Sequence, residues 1–167
     1  TQVGEMLARD DIQLVSICTP NFTHKELVLA ALAAGKDVVC EKPLATTVAD
    51  AREMVEAARR AGRRLMYAED WVFAPALVRA RELIAEGAIG RVLYVKAKET
   101  HSGSHSIYAQ RREYCGGGAM IHLGIHPVGF VLALLEAEVA EVLGVSSGGG
   151  GANLVHHEYT GEDWAVG

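Results

Sequence analysis

Leu14-Val15-Ser16-Ile17-Cys18, a loop Thr19-Pro20-Asn21, a helix-forming run, then Asp37-Val38-Val39-Cys40 and Glu41-Lys42-Pro43 occupy residues 14–43, and this stretch decides the fold. Two short β-rich runs separated by one helical segment read as a β-α-β crossover, which requires parallel strands with helices covering the sheet. In open parallel sheets, ligands sit just past the carboxyl ends of the strands. Those ends carry Thr19-Pro20-Asn21 and Glu41-Lys42-Pro43, so two polar loops are expected to face one crevice. Thr23 and Glu26 have capping-box spacing at the start of the intervening helix, and Gly35 stands where a left-handed residue would end it.

Outward from this unit, Val3 to Arg9 has helical spacing. Thr47 to Asp50 is a second capping pattern, and Ala51, Met54, Val55, Ala58 and Ala61 form an apolar stripe closed by Gly62. Arg64 to Ala68 reads as a third strand with Glu69-Asp70-Trp71 at its end. Met54 and Met66 read as core, and Cys18 and Cys40 as small apolar strand residues. Pro75 suits the first turn of a helix running to Gly87. Beyond residue 90 the character changes. Arg91 to Lys98 alternates with a period of two, and Val139 to Val145 reads as another strand, as expected of an antiparallel or mixed sheet in a second domain.

Thr100 to Gly118 is long, polar and irregular, and holds His101 and His105. Loops of that length inside a compact domain are usually functional or disordered. Gly116-Gly117-Gly118 leads into an apolar helix carrying His122 and His126, four residues apart and so on one face.

The 167 residues, 50% hydrophobic and 22% charged, describe a globular chain. No run reads as a membrane span, and a net charge of -5 gives no reason to expect nucleic acid. Three cysteines do not suggest a disulfide framework, so a reducing cytoplasm is expected.

Several motifs now stand in a definite order. They are Thr19-Pro20-Asn21 with His24, Glu41-Lys42-Pro43, Gly87-Ala88-Ile89-Gly90 before a long strand, and Gly117 through Gly124-Ile125-His126. Together they resemble the glucose-fructose oxidoreductase and inositol dehydrogenase family, Gfo/Idh/MocA, over essentially the whole chain. The resemblance implies an α/β protein: the C-terminal part of a Rossmann-type parallel sheet at residues 1–70, then the first part of an α/β substrate domain with a mostly antiparallel open sheet at 71–167. It implies NAD or NADP as cofactor, a small sugar or polyol as substrate, and a homo-oligomer formed through the second sheet.

Carried over by position, Thr19, Pro20, Asn21, His24, Glu41 and Lys42 would contact the cofactor, and Pro43 would follow a cis peptide. Lys42 would stabilise the substrate alkoxide and His126 would be the general base, with His122 beside them in the catalytic group. Glu69, Asp70, Trp71, His101 and His105 would contact substrate. The family usually places aspartate where this chain has His122. Either another acid, Glu69 or Asp70, supports His126, or His126 is a weaker base. The glycine-rich pyrophosphate turn of the family is not found in the sequence, so little cofactor affinity is expected of this chain alone, and it reads as a fragment of an oxidoreductase. A rival reading groups His101, His105, His122 and His126 as ligands of Zn²⁺ or a similar ion in a metal-dependent hydrolase, lyase or binding module.

Overall fold

The computed structural model describes residues 2–104, 106–135 and 137–167. Three parallel strands, β1 (Leu14–Ile17), β2 (Asp37–Glu41) and β3 (Leu65–Ala68), form one sheet in that order. Val15 lies opposite Val38, and Cys40 lies between Ile17 on one side and Tyr67 on the other. Helices α1 (Val3–Leu7), α2 (His24–Ala33) and α3 (Val48–Ala61) complete this half.

The core follows from the periodicities. β1 and β2 turn Val15, Ile17, Val38 and Cys40 inward, while α2 supplies Val28, Ala31 and Leu32 and α3 supplies Met54 and Ala58. Lys25 of α2 pairs with Asp50 and Glu53 of α3 at 2.6 and 2.7 Å on the outside of this core. Thr47 caps α3 by accepting the Asp50 amide, and Gly62 and Gly35 end α3 and α2 with positive φ, as their positions predict.

The Thr23/Glu26 capping box does not form. A 3-10 turn at Asn21–Thr23 gives Thr23 a helical backbone, and its hydroxyl turns back to lie 2.6 Å from the Thr19 hydroxyl and 2.7 Å from the Pro20 carbonyl. It therefore braces the loop after β1 instead of the helix. Cys18 is exposed at the end of β1, and Met66 is exposed on β3, which has a strand on one side only.

After residue 70 come α4 (Pro75–Ala85), the single turn α5 (Arg112–Cys115), a π-helical turn at Met120–Gly124, α6 (Ile125–Leu135), and a small antiparallel pair, β4 (Val145–Ser146) with β5 (Ala165–Val166). Pro75 occupies the first turn of α4. Residues 91–98 form no strand, and of 139–145 only Val145 is in a ladder. Among the described residues no neighbouring strand meets their backbone, and alternation without a hydrogen-bonded partner does not make a sheet. Leu93, Tyr94, Val142 and Leu143 are accordingly exposed. Cys115 is the one apolar side chain past residue 70 that is buried among the described residues. By length and composition alone, the stretch Arg112–Leu135 is long and apolar enough to cross a membrane.

Stability should therefore reside in the first half. Met54 is fully buried, and Met54→Ala is expected to lower unfolding free energy by about 2–5 kcal/mol in urea titration, whereas Leu93→Ala, at a side chain 80% exposed, should change it little.

Candidate active site

The parallel register brings the ends of β1, β2 and β3 to one edge, so Thr19-Pro20-Asn21, Glu41-Lys42-Pro43 and Glu69-Asp70-Trp71 emerge side by side. His24, expected to contact a cofactor, lies behind this edge instead. It is fully buried, and its two ring nitrogens lie 2.9 Å from the carbonyls of Pro43 and Thr19. It is thus a brace between two loops. The Lys42–Pro43 peptide is cis.

Lys42 reaches across the crevice. Its Nζ donates to the backbone carbonyl of His122 at 2.8 Å, joining the Glu-Lys-Pro loop to the π turn of the second half. Its amide donates to Glu41 Oε2 at 3.1 Å.

One helical turn beyond His122, at the start of α6, His126 is buried with its Nδ1 bonded to Glu69 Oε1. The same Glu69 carboxylate accepts the amides of Trp71 and Val72 at 3.2 and 3.3 Å, capping the 3-10 turn Trp71–Phe73. Trp71 stacks on the His126 ring at 5.6 Å between centroids and 20° between planes, and Asp70 Oδ1 lies 3.4 Å from Nδ1. Glu69 is therefore a buried partner of His126 and not a surface substrate contact. Its contact with Nδ1 fixes the orientation of the ring.

Gly129, which nothing in the sequence marked, makes room for this contact. A Cβ there would lie 3.0 Å from Glu69 Oε2. The signal available in the sequence was a glycine one turn after His126 on the same helix.

His122 borders two cavities. The first, about 250 Å³, is lined by Thr19, Pro20 and Asn21 on one wall and Tyr108 and Tyr114 on the other. The second, about 50 Å³, lies among His101, Ser104, Tyr159 and Glu162. Phe22, Tyr108 and Tyr114 pack in tilted and edge-on contacts at 5.1–5.8 Å between centroids and hold the segment around residue 110 against the loop after β1. Burial is the main cause that lowers the pKa of His122 to about 4, helped by the charges of Lys42, His101 and His126.

His105 lies outside the described residues. His101, His122 and His126 form no group at metal-ligand distances: among the described residues the cluster of that type is Glu69, Asp70 and His126. In it the Glu69 carboxylate bonds Nδ1 directly and caps two amides.

The family model described as an oxidoreductase family with an NAD-binding Rossmann fold matches residues 1–69, and that of the GFO/IDH/MocA C-terminal domain matches residues 77–167. The chain belongs to this family. It is 36% identical over 158 residues to 1,5-anhydro-D-fructose reductase of Ensifer adhaerens, covering 90% of this chain and 46% of that protein. It is 38% identical over 138 residues to trans-1,2-dihydrobenzene-1,2-diol dehydrogenase of Mus musculus, covering 82% and 41%. Among solved structures it resembles GenD2 from gentamicin A biosynthesis in complex with NAD, with a TM-score of 0.85, 30% identity, and coverage of 99% of this chain and 46% of that one. The chain thus spans about half the length of the relatives it matches.

Two outcomes test this geometry. Because the folded chain holds His122 neutral while an unfolded imidazole titrates near 6.5, the unfolded state binds the extra proton between those values. Stability should fall as pH drops from about 6.5 towards 4, and His122→Asn should flatten that part of a Tm-against-pH curve. Gly129→Ala, which in an ordinary helix would gain up to about 1 kcal/mol, should instead lower Tm, because the Glu69 carboxylate is held by three partners and cannot retreat.

Proposed function

We propose that this chain forms the nicotinamide-end and carbinol-binding part of an NAD(P)-dependent oxidoreductase acting on a sugar or polyol hydroxyl. The observation that carries the reading is the Lys42 contact with the His122 carbonyl, which sets the lysine of the Glu-Lys-Pro loop one helical turn from His126. Thr19, Pro20 and Asn21, lining a cavity at the carboxyl end of a parallel strand, fit the nicotinamide end of the dinucleotide. When bound, the dinucleotide supplies the hydride acceptor for alcohol oxidation.

The chain's own residues then divide the proton chemistry. His126 takes the hydroxyl proton at Nε2 while Glu69 holds Nδ1–H and stabilises the imidazolium that forms. Lys42 turns its ammonium to the oxygen as it becomes an alkoxide, a charge interaction strengthened by the partly enclosed site. Trp71, packed flat on the imidazole, keeps the ring in place and limits water on that side. Relatives named for an anhydro sugar and for a cyclic diol support a polyhydroxylated substrate.

The test is fluorescence titration with NADH and NADPH, followed by turnover of anhydro sugars, polyols and trans-diols. Both are measured on the chain alone and on a fusion that places a glycine-turn β-α-β unit ahead of it. One nicotinamide cofactor is expected to bind the fusion, and His126→Asn or Lys42→Met to lower kcat by about 10²–10⁴-fold. Unchanged turnover in both variants would remove the assignment.

A further inference from the structure

His24 is a titratable side chain that the proton chemistry of the crevice does not use, and it is fully buried at the start of α2. Its Nδ1 lies 2.9 Å from the Pro43 carbonyl and its Nε2 lies 2.9 Å from the Thr19 carbonyl. A carbonyl oxygen only accepts hydrogen bonds, whereas a neutral imidazole has one N–H and one bare nitrogen. A neutral ring therefore donates to one of the two carbonyls and turns a lone pair towards the other, where a buried acceptor normally finds a donor. Only a ring protonated at both nitrogens donates to both, and the charge then strengthens each bond. Burial opposes that charge, and the two carbonyl dipoles favour it.

The charged residues of the elements around the ring are engaged elsewhere or exposed. Lys25 of α2 pairs with Asp50 and Glu53 of α3, and Glu26 is exposed. Glu41 accepts the Lys42 amide, and the Lys42 ammonium donates to the His122 carbonyl. The two carbonyls that His24 joins belong to the two loops of the crevice: Thr19 opens the loop that lines the larger cavity, and Pro43 directly follows Lys42. We propose that His24 is a positioning residue that acts as a proton-operated clasp. With two ring protons it holds the loop after β1 and the loop after β2 together, and with one it releases one of them. The clasp sets the place of Lys42 relative to Thr19-Pro20-Asn21 through a proton that takes no part in the reaction. What the two loops bind rests on the dehydrogenase reading; that they are clasped does not.

The experiment follows the chain by NMR from about pH 5 to pH 9, the range in which imidazoles exchange their second proton. It records the His24 ring ¹⁵N resonances, the couplings carried across the hydrogen bonds to the Thr19 and Pro43 carbonyl carbons, and the Lys42 backbone amide. At the acid end both nitrogens are expected to carry protons and to couple, one to each carbonyl. At the alkaline end one coupling is lost, and the Lys42 amide moves with it. In His24→Phe, which keeps a planar ring in the buried site, that movement of the Lys42 amide should be lost. A His24 ring with the same number of protons across the whole range, or a Lys42 amide that moves as far in His24→Phe as in the unmodified protein, would overturn the proposal. Should His24→Phe not fold, the ring resonances and couplings of the unmodified protein decide alone. A clasp that is seen in the chain beside a fusion that oxidises no polyol would overturn the dehydrogenase reading alone.

Discussion

Three strands in parallel register have no choice about where their loops go: every carboxyl end lies at the same edge. Ile17, Glu41 and Ala68 end their strands there, and the residues that follow are Thr19, Lys42 and Glu69 within one or two positions. The apolar core beneath, from Val38 and Cys40 to Met54, holds this edge rigid. The second half of the chain has almost no such core among its described residues. It is kept at the edge by polar and aromatic contacts: Lys42 to the His122 carbonyl, Glu69 to His126, Asn21 to the Cys115 carbonyl, and Phe22 between two tyrosines. The bonds that assemble the site are therefore the same ones that hold the two halves together.

The charges in the crevice are arranged unequally. Lys42 faces the π turn, whose titratable side chain is the neutral imidazole of His122, while the carboxylates of Glu69 and Asp70 lie by Nδ1 of His126. With a neutral imidazole at position 122, the Lys42 ammonium meets a carbonyl dipole in the π turn, and Glu69, at the end of β3, is the carboxylate bonded to the His126 ring.

The parallel sheet, the three crevice loops and the helix stops at Gly35 and Gly62 were legible because each rests on local chemistry: β-branched runs, capping side chains and glycine at positive φ. Pairing across distance was not. Lys42 and His122 are separated by 80 positions, and Glu69 and His126 by 57, and no local pattern joins them. The family resemblance supplied the residues and left Glu69 or Asp70 as the acid beside His126; the packing of α6 on the turn at Trp71–Phe73 selects Glu69 as the directly bonded one. Residues 91–98 misled for the opposite reason. Alternation states which side chains share a face, but a strand exists only where another backbone accepts its hydrogen bonds. His24 misled because a histidine near a ligand loop is legible as a contact, while burial behind the loop is a property of the sheet alone.

The availability of the His122 carbonyl has its own cause in the sequence. Pro127 is the third residue of α6, directly after His126, and it has no N–H to give. In an α register that missing donor would have served the Leu123 carbonyl; in a π register it would have served His122. The chain widens into a π turn at Met120–Gly124, with two residues between it and the proline. A carbonyl released in this way needs a partner if it is not to remain unsatisfied away from bulk water. Lys42 Nζ, brought to the same edge by β2, fills that need at 2.8 Å. The Lys42 ammonium thus rests on a neutral carbonyl of the π turn, one of the contacts that tie the two halves of the chain together.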